Sequence, residues 1–147
     1  MGSHLDEWNI VTITVRLILA VVCGGAIGLT RSVKRRGAGF KTHALVCLGS
    51  ALVMMTGQYI YVDFGAISDI ARLAAQVISG VGFLGVGTIM VTRDNHVKGL
   101  TTAAGLWTCA GIGLSIGIGF YSGAAITTIL VLVIYRFMGR VDEIAYE

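Results

Sequence analysis

The sequence predicts an all-α integral membrane bundle of five transmembrane helices. Three observations carry that fold class. Hydrophobic residues make up 55% of the 147 and charged residues only 13%, too few to cover a soluble globule. The apolar residues gather in runs, several of about 18 residues or more, long enough to cross a hydrocarbon core at about 1.5 Å per residue. Lysines and arginines cluster in alternate connections between those runs, as the positive-inside rule expects of a multi-pass chain.

The chain starts Met1-Gly2-Ser3-His4, which reads as an expression-tag remnant. Residues 1–8 are therefore set apart from a membrane domain over 9–140 and a cytoplasmic tail over 141–147. The first run covers residues 14–30, with Arg16 near its start and Gly24-x-x-x-Gly28 further on, a close-packing pattern in lipid. It lacks a basic leader and a cleavage site, so it reads as a retained span. A basic loop containing Lys34-Arg35-Arg36 follows. The second run, 42–62, ends in Tyr59 and Tyr61, aromatics suited to a membrane interface. The next connection is acidic, with Asp63 and Asp69.

The third run, 70–92, holds the densest anomalies. Arg72 and Gln76 lie one turn apart, and Gly80, Gly82, Gly85 and Gly87 follow. An arginine at the edge of a span is a functional candidate, and clustered glycines let helices touch closely in lipid. Gly80-x-Gly82-x-x-Gly85 fits a dinucleotide-binding fingerprint in letters only, because it lies inside one apolar run without the preceding strand. A short charged turn, 93–98, leads to the fourth run, 101–118. That run is rich in small residues, including Gly113 and Gly117. Thr101 and Thr102 are placed to cap its start, as Thr42 is for the second run. Trp107, well inside the fourth run, reads as a packing residue. The fifth run, from 120 or 124 to 135, ends in a short polar tail. Five spans with basic loops on one side put the N-terminus outside and the C-terminus in the cytoplasm.

Composition also excludes function classes. The net charge of +3 gives no case for nucleic acid as a partner. Cys23, Cys47 and Cys109 lie in separate runs without a CxxC, so neither a disulfide framework nor zinc is indicated. No nucleophile–base pair or metal-ligand cluster appears, so no enzyme and no cofactor are expected. No carboxylate lies within a run, which disfavours a dedicated Mg²⁺ route, since that ion seeks carboxylate or phosphate oxygens. His43 and His96 fall near the cytoplasmic face and read as solvated.

The candidate polar core is Arg16, Asp69, Arg72, Gln76, Thr101 and Thr102. Three readings of its arginines stand side by side. Asp69 can pair with Arg72 at i, i+3; the guanidinium groups can line a pocket for an anion; or they can snorkel to headgroups. The candidate packing set is Gly24, Gly28, Gly80, Gly82, Gly85, Gly87, Gly113 and Gly117. An echo links the halves. Arg16 to Gly24 matches Arg72 to Gly80 in its Arg-Leu start, valine and final glycine. Gly39-Phe-Lys-Thr42-His-Ala44 matches Gly99-Leu-Thr-Thr102-Ala-Ala104. The echo suggests a parallel duplication of the first two helix pairs, with Arg16 and Arg72 at one depth.

Four stretches carry a resemblance in combination. They are residues 37–46, beginning Gly-Ala-Gly-Phe-Lys-Thr-His; 69–76, Asp-Ile-Ala-Arg-Leu-Ala-Ala-Gln; 79–88; and 98–107. Together the chain resembles the transmembrane domain of the MgtC/SapB family, over about residues 16–138, in its short SapB-like form. The resemblance implies five spans, the bacterial inner membrane, a homodimer among membrane lipids, and a regulatory role tied to low magnesium and virulence. It also implies a partner such as the F-type ATP synthase. Magnesium transport is the alternative attached to the family. The chain departs from the pattern at Thr30-Arg31, where members carry Glu-Arg.

Overall fold

A computed structural model describes residues 9–33, 37–64 and 69–145, with side chains to 137 except that of residue 33. The expectations for residues 1–8, for Lys34-Arg35-Arg36 and for the side chains of the tail lie outside the described residues. The helices are α1 (Ile10–Val33), α2 (Phe40–Phe64), α3 (Ile70–Thr88), α4 (Leu100–Gly117) and α5 (Tyr121–Ala145). A two-stranded hairpin, β1 (Met90–Val91) and β2 (Val97–Lys98), separates α3 from α4. Helices α1 to α4 are long and apolar enough to cross a membrane, and the apolar part of α5, Tyr121–Phe137, is shorter.

Helices α1 and α2 extend beyond the runs 14–30 and 42–62 at both ends, and two later boundaries also differ from expectation. The third run does not stay helical to residue 92. It stops at Thr88, and the chain folds into an antiparallel pair that sets Met90 against Lys98 and Val91 against Val97. Gly99 forces this. Its φ of 95° is a left-handed conformation, and any Cβ there would collide with the Thr88 carbonyl. The fifth helix, in turn, runs past residue 135 through Ala145.

The bundle is assembled on α2. A Cβ added at Gly24 would sit 2.6 Å from the His43 carbonyl oxygen, and one at Gly28 2.7 Å from the Cα of Phe40. On the other side, a Cβ at Gly113 would strike the Cys47 carbonyl, and one at Gly117 would lie 2.6 Å from the Ala51 carbonyl. Glycines of α1 and α4 thus bring two backbones directly against α2, where larger side chains would hold them apart. The pairing order makes α1 antiparallel to α2 and α4 parallel to it. The core between them holds Ala20, Cys23, Ile27, Cys47, Ala51, Cys109, Ile112 and Ile116, with Ala124 of α5. The three cysteines are free and buried, so they act as small apolar residues.

Helix α3 stands apart. Its inward side meets α4 through Val81, Leu106 and Ala110, and Gly85 lies in ordinary contact with Ala103 at 3.4 Å. Gly80, Gly82 and Gly87 have open space where a Cβ would go. The expectation that these three form a tight interface fails within this chain, because they point away from it. Trp107 also departs from its reading as a packing residue: it is 53% exposed.

Hydroxyls within the helices mostly turn back on their own backbone. Thr14, Ser50, Thr56, Thr108, Ser115 and Thr128 each donate to the carbonyl four residues earlier. They are satisfied locally and ask nothing of the lipid.

The glycine geometry gives a paired test. Gly117→Ala should lower stability by about 1–3 kcal/mol through overpacking against the α2 backbone. Gly87→Ala should be neutral or stabilising by up to about 1 kcal/mol, since it adds helix propensity in open space. Unfolding titrations of both variants in mixed micelles check the contrast.

Candidate functional site

Each end of the bundle is pinned by an arginine drawn from α1. At the first end, Arg16 Nε donates to the Tyr121 hydroxyl at 2.8 Å. Its Nη1 donates to the Gly117 carbonyl at 2.9 Å and to Gln58 Oε1 at 3.4 Å. Gly117 is the last residue of α4, and its carbonyl is one of those a helix leaves without an internal partner. Arg16 therefore caps α4 while holding the start of α5 and the far part of α2. Gly119, at φ 86°, makes the tight turn between α4 and α5 beside that guanidinium. Arg16 is thus engaged by three acceptors of the protein itself.

Arg72, expected at an equivalent position, has a different environment. It is exposed on α3, as is Gln76. Asp69 is the N-cap of α3, its carboxylate accepting from the Arg72 backbone N–H at 3.3 Å. The pairing reading is corrected accordingly: Asp69 fixes the helix end through the backbone, leaving the Arg72 guanidinium facing outward.

The second end carries a cluster that sequence reasoning passed over. Arg31 is 7% exposed and donates through Nη2 to Thr102 Oγ1 at 2.7 Å. Its guanidinium carbon stands 4.8 Å from the centroid of the Tyr135 ring, within cation–π range. The Tyr135 hydroxyl donates to the Thr101 carbonyl at 3.3 Å. That hydroxyl lies where a Cβ of residue 105 would be, which is why Gly105 is required there. His43, fully buried, places Nδ1 at 2.9 Å from the Gly39 carbonyl. A carbonyl only accepts, so Nδ1 carries a proton and donates. Nε2 is buried without a hydrogen-bond partner, 3.3 Å from the Cβ position of Gly105. Four helices thus converge: Arg31 from α1, His43 from α2, Thr102 from α4 and Tyr135 from α5.

The threonine expectations change with this geometry. Gly99, not a threonine, caps α4, with no side-chain bond. Thr101 is exposed and contributes its backbone, whereas Thr102 is buried and receives Arg31. At the start of α2 the Phe40 N–H is taken by Ser32 Oγ at 2.8 Å, so Thr42 is not the cap. Nor is His43 solvated. The signal that could have found this site was an arginine at the inner end of a predicted span. It was noted only as the neighbour of Thr30, whose hydroxyl simply donates to the Ile27 carbonyl. Among the described residues no group of three or more His, Cys, Asp or Glu side chains is placed to hold a metal ion.

Comparison with known proteins bears on this arrangement. The model of the MgtC family matches residues 17–144. YhiD of Escherichia coli K12, which carries a provisional name as a magnesium transporter, is 47% identical over 94 residues, covering 61% of this chain and 43% of that protein. An uncharacterized protein of Haemophilus influenzae is 41% identical over 133 residues, covering 87% of this chain and 56% of its own length. Protein MgtC of Brucella abortus is 39% identical over 115 residues, covering 78% and 46%. The chain therefore spans about half the length of the curated relatives it matches. No solved structure matches it.

The Arg31 cluster predicts a split between neighbouring threonines. Thr102→Val removes the acceptor of a buried guanidinium donor and should cost about 1–3 kcal/mol of stability. Thr101→Val alters an exposed side chain and should stay within about 0.5 kcal/mol of the parent. Thermal unfolding in detergent distinguishes the two.

Proposed function

The chain belongs to the MgtC family, and on that footing we propose that it is a non-enzymatic, multi-pass protein of the bacterial inner membrane that regulates another membrane protein or process through helix association. The observation that carries this reading is the outward face of α3. Gly24 and Gly28 of α1 and Gly113 and Gly117 of α4 are taken up against α2, while α3 leaves Ala75, Ser79, Gly82 and Val86 exposed along one side, flanked by Arg72 and Gln76. Helices in lipid associate through small residues and polar side chains. A face of that kind suits a second copy of this chain, giving a homodimer, or a helix of another inner-membrane protein such as the F-type ATP synthase. Membrane lipids fill the remaining surface.

In this reading α5 is a fifth span. It touches Arg16 through Tyr121 at one end and Arg31 through Tyr135 at the other, so it covers the same depth as α1. The N-terminus is outside and the C-terminus cytoplasmic, because the exposed cations Lys41, Arg93, Lys98 and Arg136 gather at the second end. The contacts do not repeat in register: Gly28 meets His43 and Gly85 meets Ala103, but the echo aligns Gly28 with Leu84. The differing surroundings of Arg16 and Arg72 speak against strict equivalence. A role in adaptation to low magnesium and in virulence follows the family resemblance.

A second reading, transport of magnesium or another small solute, is favoured by one observation: Arg72 and Gln76 are polar and unengaged on a membrane-length helix. Gly82→Leu separates the two, because open space at Gly82 lets the variant fold. The regulatory reading expects Gly82→Leu to abolish disulfide-trapped association of Ser79→Cys in native membranes and to remove the growth phenotype at low magnesium. Solute flux in sealed vesicles that is lost with Arg72→Ala and unchanged by Gly82→Leu would replace it with the transport reading.

A further inference from the structure

The hairpin between α3 and α4 has a composition that neither helix packing nor chain reversal requires. A simple turn between two spans needs a few polar residues. Here the chain builds a paired unit instead, with the Val91–Val97 and Met90–Lys98 pairs in register. Asn95, at φ 58°, closes its tip, and the Thr92 N–H donates to the His96 carbonyl at 2.9 Å. The base is fixed where Gly99 lies against the Thr88 carbonyl, so the hairpin is a defined projection of the bundle.

Its side chains divide into two chemistries. Met90 and Val91 are each 68% exposed, Val97 51% and Leu100 57%. Beside them Arg93 and Lys98 are exposed, and Asp94 is the acid at the tip. Val91 and Val97 share one face of the hairpin and Met90 and Lys98 the other, and large apolar groups exposed on both faces beside cations do not suit bulk water. They suit the border of a bilayer, where apolar side chains enter the acyl boundary and guanidinium or ammonium groups meet phosphates. A hairpin can lie there because its paired strands satisfy part of their backbone internally and headgroup water supplies the rest. Its position is dictated by connectivity, since it joins two membrane-length helices.

We propose that β1–β2 is an interfacial foot that binds the anionic phospholipid surface, with Val91 and Val97 immersed and Arg93 and Lys98 on the phosphates. Lys41 and Arg136 are exposed at the same end of the bundle, and their charge extends that of the foot. The foot would fix the depth of α3, whose outward side lacks the tight packing that holds α1, α2 and α4 together. This holds whether or not the chain regulates a partner.

The test uses the full chain in nanodiscs of phosphatidylcholine alone or mixed with phosphatidylglycerol. Native cysteines are buried, so a nitroxide at Val97→Cys or Asp94→Cys reports its own site. The Val97 label should be more accessible to oxygen than to a water-soluble nickel chelate when phosphatidylglycerol is present, and the Asp94 label the reverse. Lipids retained on purification should favour phosphatidylglycerol, and that preference should fall about fivefold for each cation removed in Arg93→Ser and Lys98→Ser. Arg93→Lys with Lys98→Arg should keep it. A Val97 label open to the nickel chelate in both bilayers would overturn the proposal. So would a phosphatidylglycerol preference unchanged by loss of both cations.

Discussion

The fold depends on close approach of backbones at α2. Gly24 and Gly28 from one side, and Gly113 and Gly117 from the other, leave no room for a Cβ between neighbouring main chains. In water such a contact would be a minor addition to apolar burial. In lipid the solvent is as apolar as leucine, so burial of side chains supplies little drive, and the gain comes from the density of contact. Four missing side chains therefore let α1, α2 and α4 approach as one body. Everything polar in the bundle is arranged around that body.

Two arginines from α1 secure its ends. Arg16 answers the free carbonyl of Gly117 and the hydroxyl of Tyr121; Arg31 answers Thr102 and the ring of Tyr135. Each joins α4 and α5 to α1, and together they keep α5 in place, although α5 contributes few buried residues to the core. The two ends differ in one respect. The Arg16 cluster is partly open and its described groups find partners. The Arg31 cluster encloses His43 Nε2, a buried ring nitrogen with no hydrogen-bond partner, near a tyrosine hydroxyl held by a long bond to Thr101. Buried polar atoms are normally satisfied, so this end is the less settled of the two.

Much of this was legible in the sequence. The helical class, the order of the spans and the glycines of α1 and α4 follow from run length and spacing, because lipid permits few other ways to satisfy a backbone. The site was less legible. Arg16 was recognisable as unusual, yet its partners, Gln58, Gly117 and Tyr121, come from three distant segments that spacing cannot bring together. Arg31 and His43 sit within a turn of helix ends, and Tyr135 closes the fifth apolar run, places where charged and aromatic residues are ordinary, so nothing local marked them. Thr102 looked like a cap because threonine before an apolar run usually is one. Gly99, with its left-handed backbone, had already taken that position.

The glycines of α3 show how far a residue type alone can mislead. Successive residues on a helix turn by about 100°. Residues four apart, such as Gly24 and Gly28 or Gly113 and Gly117, therefore lie about 40° from each other and form a stripe. Gly80, Gly82, Gly85 and Gly87 do not. Gly80 and Gly87 fall on one side, while Gly82 and Gly85 fall roughly opposite, so the four cannot serve one interface. Gly85 alone reaches α4 at Ala103. The stripe that α3 does possess runs through Ala75, Ser79, Gly82 and Val86, residues that a search for glycines overlooks. It is exposed, adjoins the α4-facing edge at Gly82, and has Arg72 and Gln76 on its far side. Its spacing, rather than its glycine content, is what makes it a continuous small-residue stripe.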